Sequence, residues 1–93
     1  MNIKPEKNLR KEIVEIGKLM AEKKLIAGTE GNISGRSSNG NIIMTPSGYD
    51  IGDISEDMLV ELDIEGNVIS GDLIPTSEKH MHLGFYKKRF KTI

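Results

Sequence analysis

Two glycine-containing pairs constrain the fold of this sequence more than any other feature. The Asn-Gly pair at 39–40 lies between the short runs "NISGR" and "NIIMT", and the Glu-Gly pair at 65–66 lies between "MLVELDI" and "NVISG". An Asn-Gly pair between two extended runs is a strong hairpin signal, because both residues tolerate a positive φ. The sequence therefore predicts two consecutive β-hairpins.

Helices are predicted on both sides of the hairpins. The first covers about residues 8–24, where apolar residues recur at steps of three and four and charged residues fill the remaining faces. Gly28 follows it and suits the left-handed residue that commonly closes a helix. The second covers about residues 75–90, with Pro75 before it and Thr76 or Ser77 able to cap it. This order of elements predicts an α+β fold, an antiparallel sheet with flanking helices.

Composition narrows the classes of function. The chain has 93 residues, enough for one domain, with 13 basic and 14 acidic residues and no basic stripe or tail. This balance argues against nucleic acid and anionic membranes as partners and favours a small molecule. No apolar run approaches a membrane span and no signal peptide is recognisable, so a cytoplasmic location is expected. Because cysteine is absent, any metal ligand would have to be His, Asp or Glu.

Three polar stretches lie at junctions between predicted elements: "GTEGNIS", "TPSGYD" and "PTSEKH". Glycine lets backbone N–H groups approach a ligand closely, and Asn, Ser and Thr supply neutral donors, which together suit a phosphate monoester. The N-terminus of the last helix adds a partial positive charge. Each stretch alone also fits an ordinary role, as a helix C-cap, a β-turn and a helix N-cap respectively.

Taken together, in this order and spacing, the motifs "GTEGNISGR", "MTPSGYD", "ISEDMLVELDIEGNVISGD" and "PTSEKHMHLGFYKKR" resemble the N-terminal portion of the class II aldolase/adducin family. The resemblance implies that residues 1–93 form part of a three-layer α/β/α domain. It also implies a zinc-dependent aldolase that cleaves a sugar phosphate to dihydroxyacetone phosphate and an aldehyde through an enediolate. Relatives use the same scaffold for epimerisation or dehydration of similar phosphates.

The resemblance also implies roles for individual residues. It assigns phosphate binding to three pairs: Gly31 and Asn32, Ser47 and Gly48, and Thr76 and Ser77. Glu78 matches the carboxylate that the family uses as general acid/base beside the carbonyl. Such a base needs to reach the proton and to have a pKa raised toward neutrality by burial or by a nearby phosphate.

The zinc ligands of the family do not match residues of this sequence. The resemblance places a His-x-His pair beyond "FYKKR" and a third histidine much later, whereas this sequence ends in "FKTI". His80 and His82 are not a replacement, because a spacing of two on a helix directs them to opposite sides. We therefore assign no metal ligand here and expect the isolated chain to lack aldolase activity and stoichiometric zinc.

Other functions remain open on the sequence alone. A non-catalytic scaffold of the adducin type is one, although it would not need Glu78 and all three phosphate motifs together. An unrelated small α+β binding module is another. The acidic residues between positions 53 and 65 suggest a metal site, but strand alternation predicts a solvated surface for them. The basic run "YKKRFK" reads as the C-terminal turn of a helix, where the dipole favours cations.

Self-association is expected from the apolar residues of the second hairpin. If part of the family sheet is missing, these side chains lack a cover: Val60, Leu62, Ile64, Val68 and Ile69. Uncovered sheet faces and edges recruit partners, so the sequence predicts a homo-oligomer.

Overall fold

The computed structural model describes residues 5–25 and 31–89, which form two helices, four short strands and two 3-10 turns. The elements are α1 (Glu6–Glu22), β1 (Ser34–Arg36), β2 (Ile42–Met44), 3-10 turns at Ile51–Asp53 and Glu56–Met58, β3 (Val60–Leu62), β4 (Val68–Ser70) and α2 (Lys79–Arg89). The predicted α+β class is confirmed. The predicted closing glycine, Gly28, lies outside the described residues.

The four strands form one antiparallel sheet in the order β1-β2-β3-β4, so both predicted hairpins are present and β2–β3 pairing joins them. In the first turn only Gly40 takes a positive φ, of 90°, and Asn39 does not. The tolerance of Asn39 for a positive φ is therefore not used in this turn. Gly40 N–H donates to the Ser37 carbonyl at 2.9 Å. Gly66 closes the second hairpin in the same way, with a φ of 97°.

The helices cover opposite faces of the sheet, which gives three layers. Under α2 the core contains Ile42, Met44, Val60, Leu62, Leu83 and Tyr86. Under α1 it contains Leu9, Ile13, Ile43, Ile54 and Leu59. In the described part of the chain, neither helix is long and apolar enough to cross a membrane.

The apolar residues expected to lie uncovered divide into two groups. Val60 and Leu62 are completely buried and Ile64 packs against the same cluster, so the expectation is wrong for these three. The physical reason is that α2 folds back over this face of β3. Val68 and Ile69 on β4 are 50% and 53% exposed, as expected for an uncovered strand.

Helix α1 packs directly on the 51–53 turn through a buried glycine. A Cβ on Gly17 would lie 2.7 Å from the backbone oxygen of Ile51, closer than real contacts allow. Gly52 approaches Ala21 just as closely, since a Cβ there would lie 2.7 Å from the Ala21 methyl. Small residues therefore set the distance between α1 and this turn.

Gly17→Ala is expected to destabilise the protein by about 1–2 kcal/mol, although alanine favours helices, because the helix must move away from Ile51. Gly84→Ala is the matched control: it is also helical, but nothing lies within 4 Å of its Cβ position. That variant should be stabilised by about 0.5–1 kcal/mol. Urea unfolding of both variants checks the pair. Stabilisation of both would show that α1 is free to shift.

Glu61 departs from the predicted exposure of the acidic residues. The residue is only 6% exposed, and it points to the α1 side of β3. Its Oε2 accepts a hydrogen bond from Asn41 Nδ2 at 2.8 Å, and its Oε1 accepts one from Ser70 Oγ at 3.2 Å. Arg10 Nη2 on α1 lies 3.6 Å from the same Oε1. Alternation alone missed this residue because α1 covers the face that was predicted to be solvated.

The surroundings of Glu61 keep its carboxyl ionised. Burial by itself raises the pKa of Glu61, but hydrogen bonds from Asn41, Asn39 and Ser70, together with the Arg10 guanidinium, outweigh burial and hold the pKa below its usual value. The buried charge thus ties α1 to β3 and β4.

Candidate functional site

Thr45 is the residue at which the first two polar stretches meet. It is 1% exposed and follows β2 directly. Its Oγ1 accepts a hydrogen bond from Ile33 N–H at 3.1 Å, and its own N–H donates to the Ile33 carbonyl at 3.0 Å. The predicted phosphate residues Gly31 and Asn32 directly precede Ile33. The side chain and backbone of Thr45 therefore fix the position of this loop.

The third stretch is bonded to the second. Thr76 N–H donates to the Thr45 carbonyl at 3.0 Å, and Ser47 N–H donates to the Ile74 carbonyl at 2.8 Å. Pro46 and Pro75 form an antiparallel bridge between these two bonds. Segments 31–33, 45–48 and 74–77 consequently lie side by side, although they are far apart in the sequence.

The hydroxyl of Thr76 caps α2. This residue is 5% exposed, and its Oγ1 accepts a hydrogen bond from Glu78 N–H at 3.3 Å. Helix α2 begins at Lys79, later than the predicted start near residue 75, so Glu78 lies just before the helix. The surface around the buried Thr45 and Thr76 is formed in part by three exposed residues, Gly48, Ser77 and Glu78. Gly48 has a positive φ, of 84°. The ordinary capping role considered for Thr76 is thus present in the structure.

Asn32 is bonded to a second set of residues on the other side of the loop. Its Oδ1 lies 2.5 Å from His82 Nε2 on α2. His82 Nδ1 lies 2.5 Å from Ser34 Oγ, and Ser34 Oγ lies 3.1 Å from the Tyr86 hydroxyl. Burial lowers the pKa of His82, and the nearby Glu78 carboxylate opposes this in part. His82 is therefore neutral at physiological pH.

Tyr86 and Arg36 complete the surroundings of this set. Burial raises the pKa of Tyr86, while the Ser34 hydrogen bond and the positive charge of Arg36 oppose the rise. Tyr86 consequently remains a protonated phenol, which is able to donate to Ser34 Oγ or to accept from it. Within the described ranges, the buried Nη1 of Arg36 has no hydrogen-bond partner. This cation belongs to "GNISGR" but was not among the predicted site residues.

A cleft of about 540 Å³ lies between α1, the 32–34 segment and α2. It is lined by Ile16, Met20, Asn32, Ile33, Ser34, Met81, His82, Phe85 and Tyr86. Its walls are mainly apolar, and Asn32, Ser34 and His82 supply the polar atoms. The amide of Asn32 thus lies where a polar loop meets an apolar cleft.

The described residues do not fit a catalytic zinc ion. Across residues 5–25 and 31–89, no three His, Asp or Glu side chains lie close enough together to hold a metal. The two ring nitrogens of His82 are hydrogen-bonded to Asn32 and Ser34, whereas His80 is exposed on another side of α2. A catalytic zinc site normally needs three protein ligands. We therefore derive no chemical step through zinc.

Four residues that organise the site were missed from the sequence: Thr45, Ser34, His82 and Tyr86. Thr45 stands inside the quoted motif "MTPSG", but a threonine at a strand end is ordinarily a β-former. His82 and Tyr86 have a usable signal, because their spacing of four places them on one face of α2. Nothing in the sequence indicates that Ser34 lies under that face.

Comparison with known proteins agrees with these observations. The model of the class II aldolase and adducin N-terminal domain matches residues 11–92. L-fuculose phosphate aldolase of Methanocaldococcus jannaschii is 39% identical over 80 residues, which cover 86% of this chain and 42% of that protein. The 3-oxo-tetronate 4-phosphate decarboxylase of Haemophilus influenzae is 38% identical over 76 residues, which cover 82% of this chain and 36% of that protein.

A solved structure shares the fold. The structure of an L-fuculose 1-phosphate aldolase superposes with a TM-score of 0.82 at 38% identity, covering 88% of this chain and 39% of that one. The chain thus spans about two fifths of the length of the relatives it matches.

Proposed function

Because this chain belongs to the class II aldolase and adducin family, we propose that it forms the phosphate-binding part of an aldolase acting on a sugar phosphate. The proposed activity is like that of an L-fuculose-1-phosphate aldolase, which cleaves a ketose 1-phosphate to dihydroxyacetone phosphate and an aldehyde. The observation that carries the proposal is the meeting of the three polar stretches at Thr45. It buries Thr45 and Thr76 and leaves these residues exposed nearby: Ser47, Gly48, Ser77 and Glu78.

The phosphate would be held by neutral donors. We assign this role to the three predicted pairs: Gly31 and Asn32, Ser47 and Gly48, and Thr76 and Ser77. The N–H groups of Ser47 and Thr76 already donate to the Ile74 and Thr45 carbonyls, so these two residues would contribute their hydroxyls. Together with the other backbone N–H groups of the three pairs, these hydroxyls suit a doubly charged phosphate, and the N-terminus of α2 adds its partial positive charge. Because the Thr76 hydroxyl oxygen already accepts the cap hydrogen bond, its contribution to phosphate is as a donor.

Glu78 is proposed as the general acid/base. In the cleavage direction the C–C bond breaks as the neighbouring hydroxyl gives up its proton and becomes the aldehyde, and Glu78 would donate a proton to the enediolate carbon to give dihydroxyacetone phosphate. In the reverse direction Glu78 would remove that same carbon-bound proton before the new C–C bond forms. The exposure of Glu78 supports access of substrate from solvent, and the bond from its N–H to Thr76 Oγ1 links it directly to the proposed phosphate loop. The proposal assigns no zinc ligand to the described residues.

Phosphate binding does not by itself determine which reaction follows, and one relative of this chain is named as a decarboxylase. Epimerisation and dehydration of a sugar phosphate are two more reactions that the same site could serve. All of these reactions require a phosphate site, so the phosphate role does not depend on which one follows. A non-catalytic adducin-type role is the competing hypothesis, and the retained Glu78 beside Thr76 argues against it.

Titration with inorganic phosphate tests the proposed pocket. We expect millimolar binding, with amide NMR signals of Asn32, Gly48 and Ser77 shifting together along one binding curve. Chloride at matched ionic strength is the control for general screening. If phosphate shifts other amide signals but not those of Asn32, Gly48 and Ser77, the assignment of the phosphate pocket to these residues is contradicted.

We also propose self-association through the β4 edge of the sheet. Val68 and Ile69 are half exposed on this last strand, and a few hundred Å² of apolar cover contributes several kcal/mol at roughly 25 cal/mol per Å². Sedimentation at micromolar concentration should show an oligomer that Ile69→Lys converts to a monomer. A folded wild-type monomer would contradict the proposal.

A further inference from the structure

Asn32 is connected to α2 by a chain of hydrogen bonds, and a neutral His82 whose Nε2 faces the Asn32 amide oxygen gives this chain one direction. Tyr86 O–H donates to Ser34 Oγ, Ser34 O–H donates to His82 Nδ1, and His82 Nε2–H donates to Asn32 Oδ1. The reverse direction would place the unprotonated Nε2 against Oδ1, and two acceptors repel each other. Neutral histidine is the form that this chain requires, and burial of His82 favours it.

This direction determines how the Asn32 amide is presented. The amide is planar, so once Oδ1 accepts from His82, its two Nδ2–H donors point away from the imidazole. Rotation of the side chain would break the bond to His82. Ser34 Oγ restrains the ring in turn, because it would lose its bond to Nδ1 if the ring moved, and the buried Tyr86 hydroxyl bonds to Ser34 Oγ from the other side.

We propose that His82 is a positioning residue for the phosphate site, which holds the Asn32 amide so that its Nδ2–H group donates to a phosphate oxygen of the substrate. This inference rests on the proposed function. It also gives a physical connection between binding and chemistry, because Glu78 lies one helical turn before His82 and the Thr76 cap fixes the same end of α2. Phosphate bound to Asn32 thereby orders the helix end that carries the proposed acid/base.

A purely structural role predicts something different. If His82 only joined α2 to the loop, its loss would lower the free energy of unfolding but would leave the phosphate affinity of the folded protein unchanged. A positioning role requires that the effect on phosphate affinity pass through the Asn32 side chain. The two roles are therefore separated by measuring binding in a cycle of single and double variants.

The experiment is a titration of the full chain with inorganic phosphate, followed by amide NMR. His82→Leu is expected to weaken phosphate binding about tenfold, the usual loss for one well-placed hydrogen bond to a charged group. His82→Gln should restore most of the affinity, because its amide can donate near the position of Nε2. His80→Leu is the matched control on an exposed site of the same helix and should bind as the wild type does.

Asn32→Ala supplies the decisive second background. In that background His82→Leu should cause no further loss of affinity; an equal tenfold loss in both backgrounds, or no loss in either, would overturn the inference. If His82→Leu does not fold, Ser34→Ala replaces it, since it removes the proton donated to Nδ1. The NMR signals of the Asn32 side-chain amide give an independent readout: they should be ordered in the free wild type and averaged in His82→Leu.

The outcomes distinguish this inference from the proposed function. If phosphate shifts none of the predicted amide signals of the wild-type protein, both the pocket and the role given to His82 are refuted. Wild-type protein that binds phosphate at Asn32, Gly48 and Ser77, with unchanged affinity in His82→Leu, would refute only the positioning role.

Discussion

Glu61→Gln is expected to lower the free energy of unfolding by about 2–3 kcal/mol. The substitution removes a buried charge that accepts hydrogen bonds from Asn41 and Ser70 and lies 3.6 Å from Arg10. Breaking a buried ion pair on one side typically costs about 3–5 kcal/mol. The loss is smaller here because Arg10 keeps its bond to Glu6 at 2.6 Å. Urea unfolding at neutral pH measures the change.

The same carboxylate predicts how stability depends on pH. Burial raises the pKa of Glu61, yet its hydrogen bonds and Arg10 outweigh burial, so the folded-state pKa lies below the unfolded value. The contribution of the Glu61 carboxylate to the free energy of unfolding is therefore complete above its unfolded-state pKa of about 4.3. This contribution is lost as the pH falls through its folded-state pKa. Glu61→Gln should show a shallower decline in acid. Some decline persists because hydrogen bonds from Asn67 also lower the pKa of Asp63.

Glu65→Gln is the matched control for this prediction. Glu65 lies on the same hairpin but is exposed, and its ion pair with Lys87 is 3.9 Å long between exposed side chains. We expect a change within about 0.5 kcal/mol. If Glu61→Gln and Glu65→Gln lower the free energy of unfolding equally, the buried contacts of Glu61 stabilise the protein no more than the exposed ion pair of Glu65 does.

Thr45→Val is expected to destabilise the protein by about 1–3 kcal/mol and to abolish the phosphate response of Asn32. Valine keeps the shape of threonine but removes the buried Oγ1, which leaves the part-buried Ile33 N–H without this partner. The loop that carries Asn32 then loses one of the two bonds between Ile33 and residue 45. Urea unfolding and phosphate titration measure the two effects.

Thr45→Ser retains the hydroxyl and is the matched control. It should lose only about 1 kcal/mol, for one buried methyl group, and should keep the phosphate response. Amide hydrogen exchange gives a local check: in Thr45→Val the Ile33 amide should lose protection while the Thr76 amide, bonded to the unchanged Thr45 carbonyl, keeps it. Indistinguishable exchange at Ile33 in the two variants would refute the role of the hydroxyl.

The elements of this fold were predictable where local physics decides them. The apolar stripe predicted α1 to within two residues at each end, and the glycines at 40 and 66 predicted both hairpins. The family resemblance predicted the three layers. The two 3-10 turns were not predicted, because neither 51–53 nor 56–58 has enough length to show a periodicity.

The candidate site was predictable only in part. Its loops stand out as clusters of glycine and hydroxyl residues, but the contacts that hold them depend on tertiary structure. Thr45 and Glu61 look like ordinary strand residues until the segments that cover them are known. From the sequence, His82 was considered only as a metal ligand, whereas the structure shows it bonded to a loop 50 positions away.

The order of the strands has a kinetic consequence. Each strand pairs with the next one along the chain, and the longest connection between paired strands covers residues 45–59, which are 15 residues. The bond between His82 and Asn32 instead closes a separation of 50 residues. Closing a longer loop costs more chain entropy and favours late formation. The sheet should therefore be in place before the loops and α2 come together. Phosphate would bind only the fully folded state, in which the loops and α2 lie together. Its binding would therefore mainly slow unfolding and leave the rate of folding almost unchanged.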